Sequence, residues 1–160
     1  MAHELITAGA IVAAIAWAIT MQVRRRSVTV RRLVALPLAL VALALGTDHG
    51  WAERLASPTA VAFFGAGLLL AAAMGLARAR TMRVWHDGTA WVSQGSWRTV
   101  VAWIATFAVR IATAIVAARY GAAEGSGEIM CFVAVTLAAQ NVALAWRAGM
   151  LTPRPELSRT

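Results

Sequence analysis

In 160 residues, 60% of them hydrophobic, fifteen arginines and no lysine stand against seven carboxylates for a net charge of +8. In a soluble chain that balance would point to nucleic acid, but here the arginines sit at the ends of long uncharged stretches, where insertion beside an anionic leaflet explains them better. The single cysteine, Cys131, excludes an internal disulfide and any CxxC redox pair.

Five apolar stretches suit a hydrocarbon core of ~30 Å, which predicts an all-α membrane domain over residues 1–151 with five transmembrane helices. The first, 5–23, is followed rather than preceded by basic residues, so it reads as a retained helix and not a secretory signal. The loop from Arg24 to Arg32 stops transfer and meets lipid headgroups. The second span runs 33–51: its apolar part ends near Gly46, and it is extended through Asp48 and His49 to Trp51, with Pro37 about one turn in, where a missing N–H is tolerated. The third is 58–77. Two short Val- and Trp-containing runs separated by Asp87-Gly88 then predict a β-hairpin over 82–92, with strands near Met82–Trp85 and Thr89–Val92. An isolated hairpin is barely stable in water, so Trp85, Trp91 and Trp97 are expected to rest on the membrane interface or on a partner. The fourth and fifth spans are 100–118 and 129–146, and residues 152–160, with Pro153 and Pro155, form a mobile tail.

Orientation follows from the arginines. With the N-terminus outside, twelve fall on the cytoplasmic side and only Arg54 and Arg119 outside, the asymmetry of a multi-pass protein of the cell membrane with its hairpin and C-terminus cytoplasmic. The carboxylates show the complement: Glu4, Asp48, Glu53, Glu124 and Glu128 gather outside.

A basic turn, Arg24-Arg25-Arg26-Ser27-Val28-Thr29-Val30-Arg31-Arg32, runs into Leu36-Pro37. Val84-Trp85-His86-Asp87-Gly88 precedes the fourth helix, and Arg110 lies within it. In this order of features the chain resembles the CcdC-like family of small five-helix integral membrane proteins. The resemblance implies a fold. The family name suggests a link to cytochrome c maturation, but no CxxC or haem-ligand pattern is present here, and Asp48-His49 lies outside the resemblance. In size and membrane character the chain is also similar to small membrane proteins of linaridin-type peptide biosynthesis clusters, where dehydration and epimerisation occur.

Arg110 is the most informative residue, because a charge near the middle of a span costs between ~3 and ~10 kcal/mol or more and faces protein or water. Thr106 and Thr113 share its helix face at spacings of four and three, and Gln140 and Asn141 lie on the fifth helix. Either Arg110 binds a carboxylate or phosphate with Gln140 and Asn141 helping, or it clamps helices by bonding to them. Asp48 and His49 could transfer a proton, since a carboxylate orients a nearby histidine and raises its basicity. Adjacent helical residues point about 100° apart, so each could instead pair with another segment, for example at Glu128 or Cys131. The plain alternative is a set of outer-loop charges that cap helix ends. Cys131 reads as a packing residue, with a nucleophile beside His49 as the alternative. Gly65 and Gly67 read as close-packing positions. No HxxxH, HExxH or CxxC spacing is present, so no metal site is expected, and no cofactor either.

Two functions remain open. One is a non-catalytic subunit of a membrane-bound maturation or biosynthetic complex, partnered by the bilayer and by a second membrane protein or another copy. The other is a cofactor-independent membrane enzyme that moves a proton on a hydrophobic peptide or lipid-like substrate, as in dehydration or epimerisation. A transporter is weaker, since five spans carry no inverted repeat.

Overall fold

The computed structural model describes residues 26–27, 30–122 and 124–151, so the expected helix over 5–23 and the tail 152–160 lie outside the described residues. In chain order the elements are β1 (Arg26–Ser27), α1 (Val30–Thr47), α2 (Trp51–Arg54), α3 (Pro58–Thr81), β2 (Arg83–His86), β3 (Trp91–Gln94), α4 (Trp97–Arg119) and α5 (Ser126–Arg147). Three of these, α3, α4 and α5, are long and apolar enough to cross a membrane, with 24, 23 and 22 residues against the ~20 that a bilayer core requires.

Local chemistry sets the boundaries. Ser57 starts α3, its hydroxyl accepting from Ala60 N at 3.0 Å, with Pro58 in the first turn, where the missing N–H costs nothing. Gly121, at φ +75°, ends α4 by turning left-handed, so that Ala122 N reaches back to Ala117 O at 2.9 Å. The expected second span over 33–51 is corrected here. The helix stops at Thr47, and only its shorter Leu33–Gly46 run is apolar throughout. The cause is Asp48, whose Oδ1 accepts from Gly50 N at 3.1 Å. That local turn competes with another turn of helix, and the chain restarts as the short α2 at Trp51.

Helix α5 is central. It packs extensively on α1 and on α3, and α4 packs on α3. Small residues allow this: Ala71, Gly75 and Ala79, four apart on α3, are buried, the spacing that brings helix backbones together in a membrane. A Cβ at Gly75 would overlap the Thr136 carbonyl of α5, whereas Gly65 and Gly67 meet nothing within 4 Å. On α3 the close-packing glycine is therefore Gly75 and not the expected pair. Pro37 is corrected too, from the entrance of its helix to the interior. Having no N–H, it cannot bond the carbonyl of Leu33 one turn back. Asn141 of α5 takes up that carbonyl, donating Nδ2 to Leu33 O at 2.6 Å.

The hairpin forms slightly later than expected. Its register pairs Arg83 with Gln94 and His86 with Trp91, around a four-residue turn closed by Asp87 N to Ala90 O at 2.9 Å, with Gly88 at φ +69°. A third strand joins it, since β1 pairs antiparallel with β3 at Arg26↔Ser93 and Ser27↔Val92. Two strands alone are marginal; the third makes β3 the middle of a small sheet.

Candidate functional site

Two of the carboxylates expected to gather, Asp48 and Glu128, meet at the end of the bundle opposite the sheet, while Glu53 is exposed and Glu4 lies outside the described residues. Arg54, on α2, is the hub. Its Nε donates to Glu128 Oε1 at 2.8 Å, and its Nη2 to Glu128 Oε2 at 3.1 Å and Asp48 Oδ2 at 2.6 Å. Both carboxylates also cap α5: Gly127 N donates to Asp48 Oδ2 at 2.8 Å and Gly125 N to Glu128 Oε2 at 2.9 Å. Negative charge there meets both unpaired N–H groups and the positive end of the helix. The Arg54 hydrogen bond, followed by that of Gly127, holds the Asp48 carboxyl at about 2, below its ordinary 3.8 and against the opposing effect of burial. The Arg54 guanidinium is raised in turn, chiefly by Glu128. Trp51 wedges this clasp, its indole packed edge-on to Phe64 at 5.5 Å and close enough to Gly127 that no side chain fits there.

This arrangement uses Asp48 differently from the proton-transfer reading. Its oxygens are taken by Arg54, Gly50, Gly127 and, at 3.4 Å, Ser126, while His49 is exposed. The plain alternative, charges that cap helix ends, describes Asp48 and Glu128.

Arg110 is 9% exposed and ion-pairs with Glu124, in the loop before α5. Its position lies about nine residues, or ~14 Å, from the end of α4, so the long side chain reaches towards that end, as membrane arginines do. The guanidinium stands 5.0 Å over the Phe132 ring, and its Nε is buried with no hydrogen-bond partner among the described residues. The expected pairing with Gln140 and Asn141 is corrected. Gln140 Oε1 accepts from Arg78 Nε at 2.6 Å, and Asn141 bonds Leu33. Nor do the threonines face Arg110's charge: Thr106 Oγ1 donates to Ala102 O at 2.7 Å and Thr113 Oγ1 to Arg110 O at 2.9 Å. These are bonds to their own helix backbone.

Arg110 and Glu124 together edge a cleft of about 350 Å³ between α3 and α4. Apart from Thr113, whose hydroxyl is bonded to its own helix backbone, its other walls are apolar, among them Phe63, Leu70, Val109 and Val116. Phe63 stacks on Tyr120 at 5.8 Å. A cleft of this size, apolar with a few polar groups, has the form of a small-ligand site.

Arg78 was not foreseen. Read as a flanking charge, it is instead completely buried, its guanidinium 3.6 Å above the Trp103 ring and, among the described residues, hydrogen-bonded through Nε alone, to Gln140. Its place could have been read from the sequence, because it falls three residues after Gly75 and so near the small-residue face. Cys131 is half-buried and free, and no group of three metal-ligating side chains occurs among the described residues.

No family model matches the chain, and no curated protein and no solved structure gives a match.

Proposed function

We propose that this chain is a five-span protein of the cell membrane, N-terminus outside and sheet cytoplasmic, that holds a hydrophobic peptide or similar amide-bearing molecule in the α3–α4 cleft. It does so as a subunit of a membrane-bound maturation or biosynthetic complex. The observation that carries this reading is the Arg110–Glu124 pair set into an otherwise apolar wall. Apolar residues of similar volume would hold the loop to α4 at least as well as a buried ion pair, so stability alone is a poor reason for it. The pair is neutral as a unit, which disfavours a bare anion. It sets a carboxylate acceptor beside a guanidinium donor at the cleft edge, the complement of an amide. The CcdC-like resemblance contributes only a small helical membrane protein, and nothing of its chemistry.

The test uses a synthetic hydrophobic peptide carrying a diazirine, mixed with the full chain in neutral detergent. Photolysis is expected to label Leu70, Thr113 or their neighbours on α3 and α4, and Arg110→Gln/Glu124→Gln, which removes the pair without leaving a lone buried charge, to reduce that labelling without lowering the melting temperature by more than a few degrees. Labelling spread evenly over lipid-facing residues, indifferent to the pair, would refute the site.

A second reading moves catalysis to Glu124, favoured because this carboxylate sits at the edge of an apolar cleft beside a guanidinium. In it, Glu124 removes a Cα proton from the peptide, the electron pair is delocalised into the neighbouring carbonyl, and Arg110 stabilises the developing oxyanion. Water delivers a proton to the opposite face and Glu124 releases its own to solvent, giving epimerisation. Incubation in D2O would leave deuterium at Cα with the wild type and none with Glu124→Gln; deuterium with neither leaves the binding reading alone.

A further inference from the structure

At the sheet end, the last turn of α3, strand β2, the start of α4 and the end of α5 enclose a second cleft, of about 750 Å³. Four of its lining residues are arginines, Arg80, Arg83, Arg98 and Arg147, and none is acidic. Among the described residues the ion pairs are those of Arg54 and Arg110, so these four face the cleft without a carboxylate partner. Arg147 is held in place, its Nη1 donating to Ala79 O at 2.7 Å and Met82 O at 3.0 Å, the closing carbonyls of α3. The start of α4 brings one positive helix end and the ends of α3 and α5 bring two negative ones, so the positive charge of the cleft comes from the arginine side chains.

We propose that this cleft binds the phosphate of an anionic lipid headgroup. Charge complementarity selects a phosphate, because four uncompensated guanidinium groups around one cavity repel one another until an anion enters, and their forks suit its oxygens. Position selects a lipid over a soluble anion. The cleft lies where three membrane-length helices end, at headgroup depth. Trp85 and Trp97 line it, and Trp97 is 70% exposed, as befits an aromatic belt residue. The site rests on the membrane-spanning reading but not on the α3–α4 cleft, and different variants probe the two.

The experiment is native mass spectrometry of the full chain in neutral detergent supplemented with phosphatidylglycerol or phosphatidylcholine. The wild type is expected to retain phosphatidylglycerol selectively. The double variant Arg83→Gln/Arg98→Gln should bind it about 30-fold more weakly, at ~1 kcal/mol for each arginine, and Arg119→Gln, exposed at the other end, should bind as wild type. Should the double variant fold poorly, the single variants Arg83→Gln and Arg98→Gln should each bind it about 5-fold more weakly, and wild-type affinity in both overturns the proposal. Equal retention of the two lipids, or of phosphatidylglycerol by wild type and a folded double variant, overturns the proposal. Displacement of the lipid by millimolar inorganic phosphate would assign the cleft to a soluble anion and overturn the lipid assignment.

Discussion

Replacing Asn141 by Leu tests how this bundle tolerates a proline inside α1. Pro37 cannot donate to Leu33 O, and Asn141 Nδ2 supplies the missing bond from α5 at 2.6 Å. Asn141→Leu strands a half-buried carbonyl, which costs ~1–3 kcal/mol in an environment without water; partial exposure of Leu33 places the expected loss in the lower half, about 1–2 kcal/mol. In a Pro37→Ala background the new N–H of residue 37 can bond Leu33 O within the helix. The same Asn141→Leu change should then cost roughly 0.5 kcal/mol or less, leaving a coupling of about 1 kcal/mol. Unfolding of the four proteins in mixed micelles measures the cycle. An Asn141→Leu cost that is the same in both backgrounds would refute the argument that the asparagine serves the proline.

Gly75→Ala should lower the melting temperature, since its Cβ meets the Thr136 backbone and α3 must move away from α5 at ~1–3 kcal/mol; Gly65→Ala, with open space around it, should leave it unchanged or raise it. Because the Asp48 carboxyl is depressed from 3.8 to about 2 chiefly by Arg54, its contribution to stability is complete above about pH 4 and is lost as pH falls towards 2. Glu128 shares the clasp, so the comparison to make is the pH dependence of melting for wild type against Asp48→Asn, whose curve should be flatter between pH 4 and 2. Reporter fusions after Trp51 and after Gly88 should read opposite compartments, outside and cytoplasmic respectively; the same compartment for both would remove the proposed topology.

Apolar length was the readable part of this sequence. Uncharged runs long enough to span placed α3, α4 and α5 to within four residues at each end, and Asp87-Gly88 located the hairpin. Pairing was not readable in the same way. Periodicity says which residues share a face of one helix, but not which neighbouring helix that face meets. Arg110 was therefore assigned to Gln140 when its partner lies in a loop, at Glu124, and Gln140 serves Arg78. The end of α1 was lost for a related reason. The apolar run ends at Gly46, and extending it to Trp51 to reach a full span overran the helix, because the chain turns where Asp48 bonds Gly50, and a single side-chain hydrogen bond leaves no periodic trace. That Asp48 and Glu128 would lie at one end was visible from their sequence positions. That Arg54, one of two arginines on that side, would join them was not.

The central claim is that Arg110 and Glu124 read an amide in an apolar cleft, and the most direct measurement compares two probes that differ only there. Binding of a long-chain N-methyl amide and of a hydrocarbon of equal length is measured by displacement of a fluorescent peptide from the full chain in detergent. The amide is expected to bind about 10-fold tighter or more, the worth of one hydrogen bond to a charged group, and that preference should vanish in Arg110→Gln/Glu124→Gln. Equal affinity for the two probes in the wild type, or an amide preference that survives the double variant, would contradict the account.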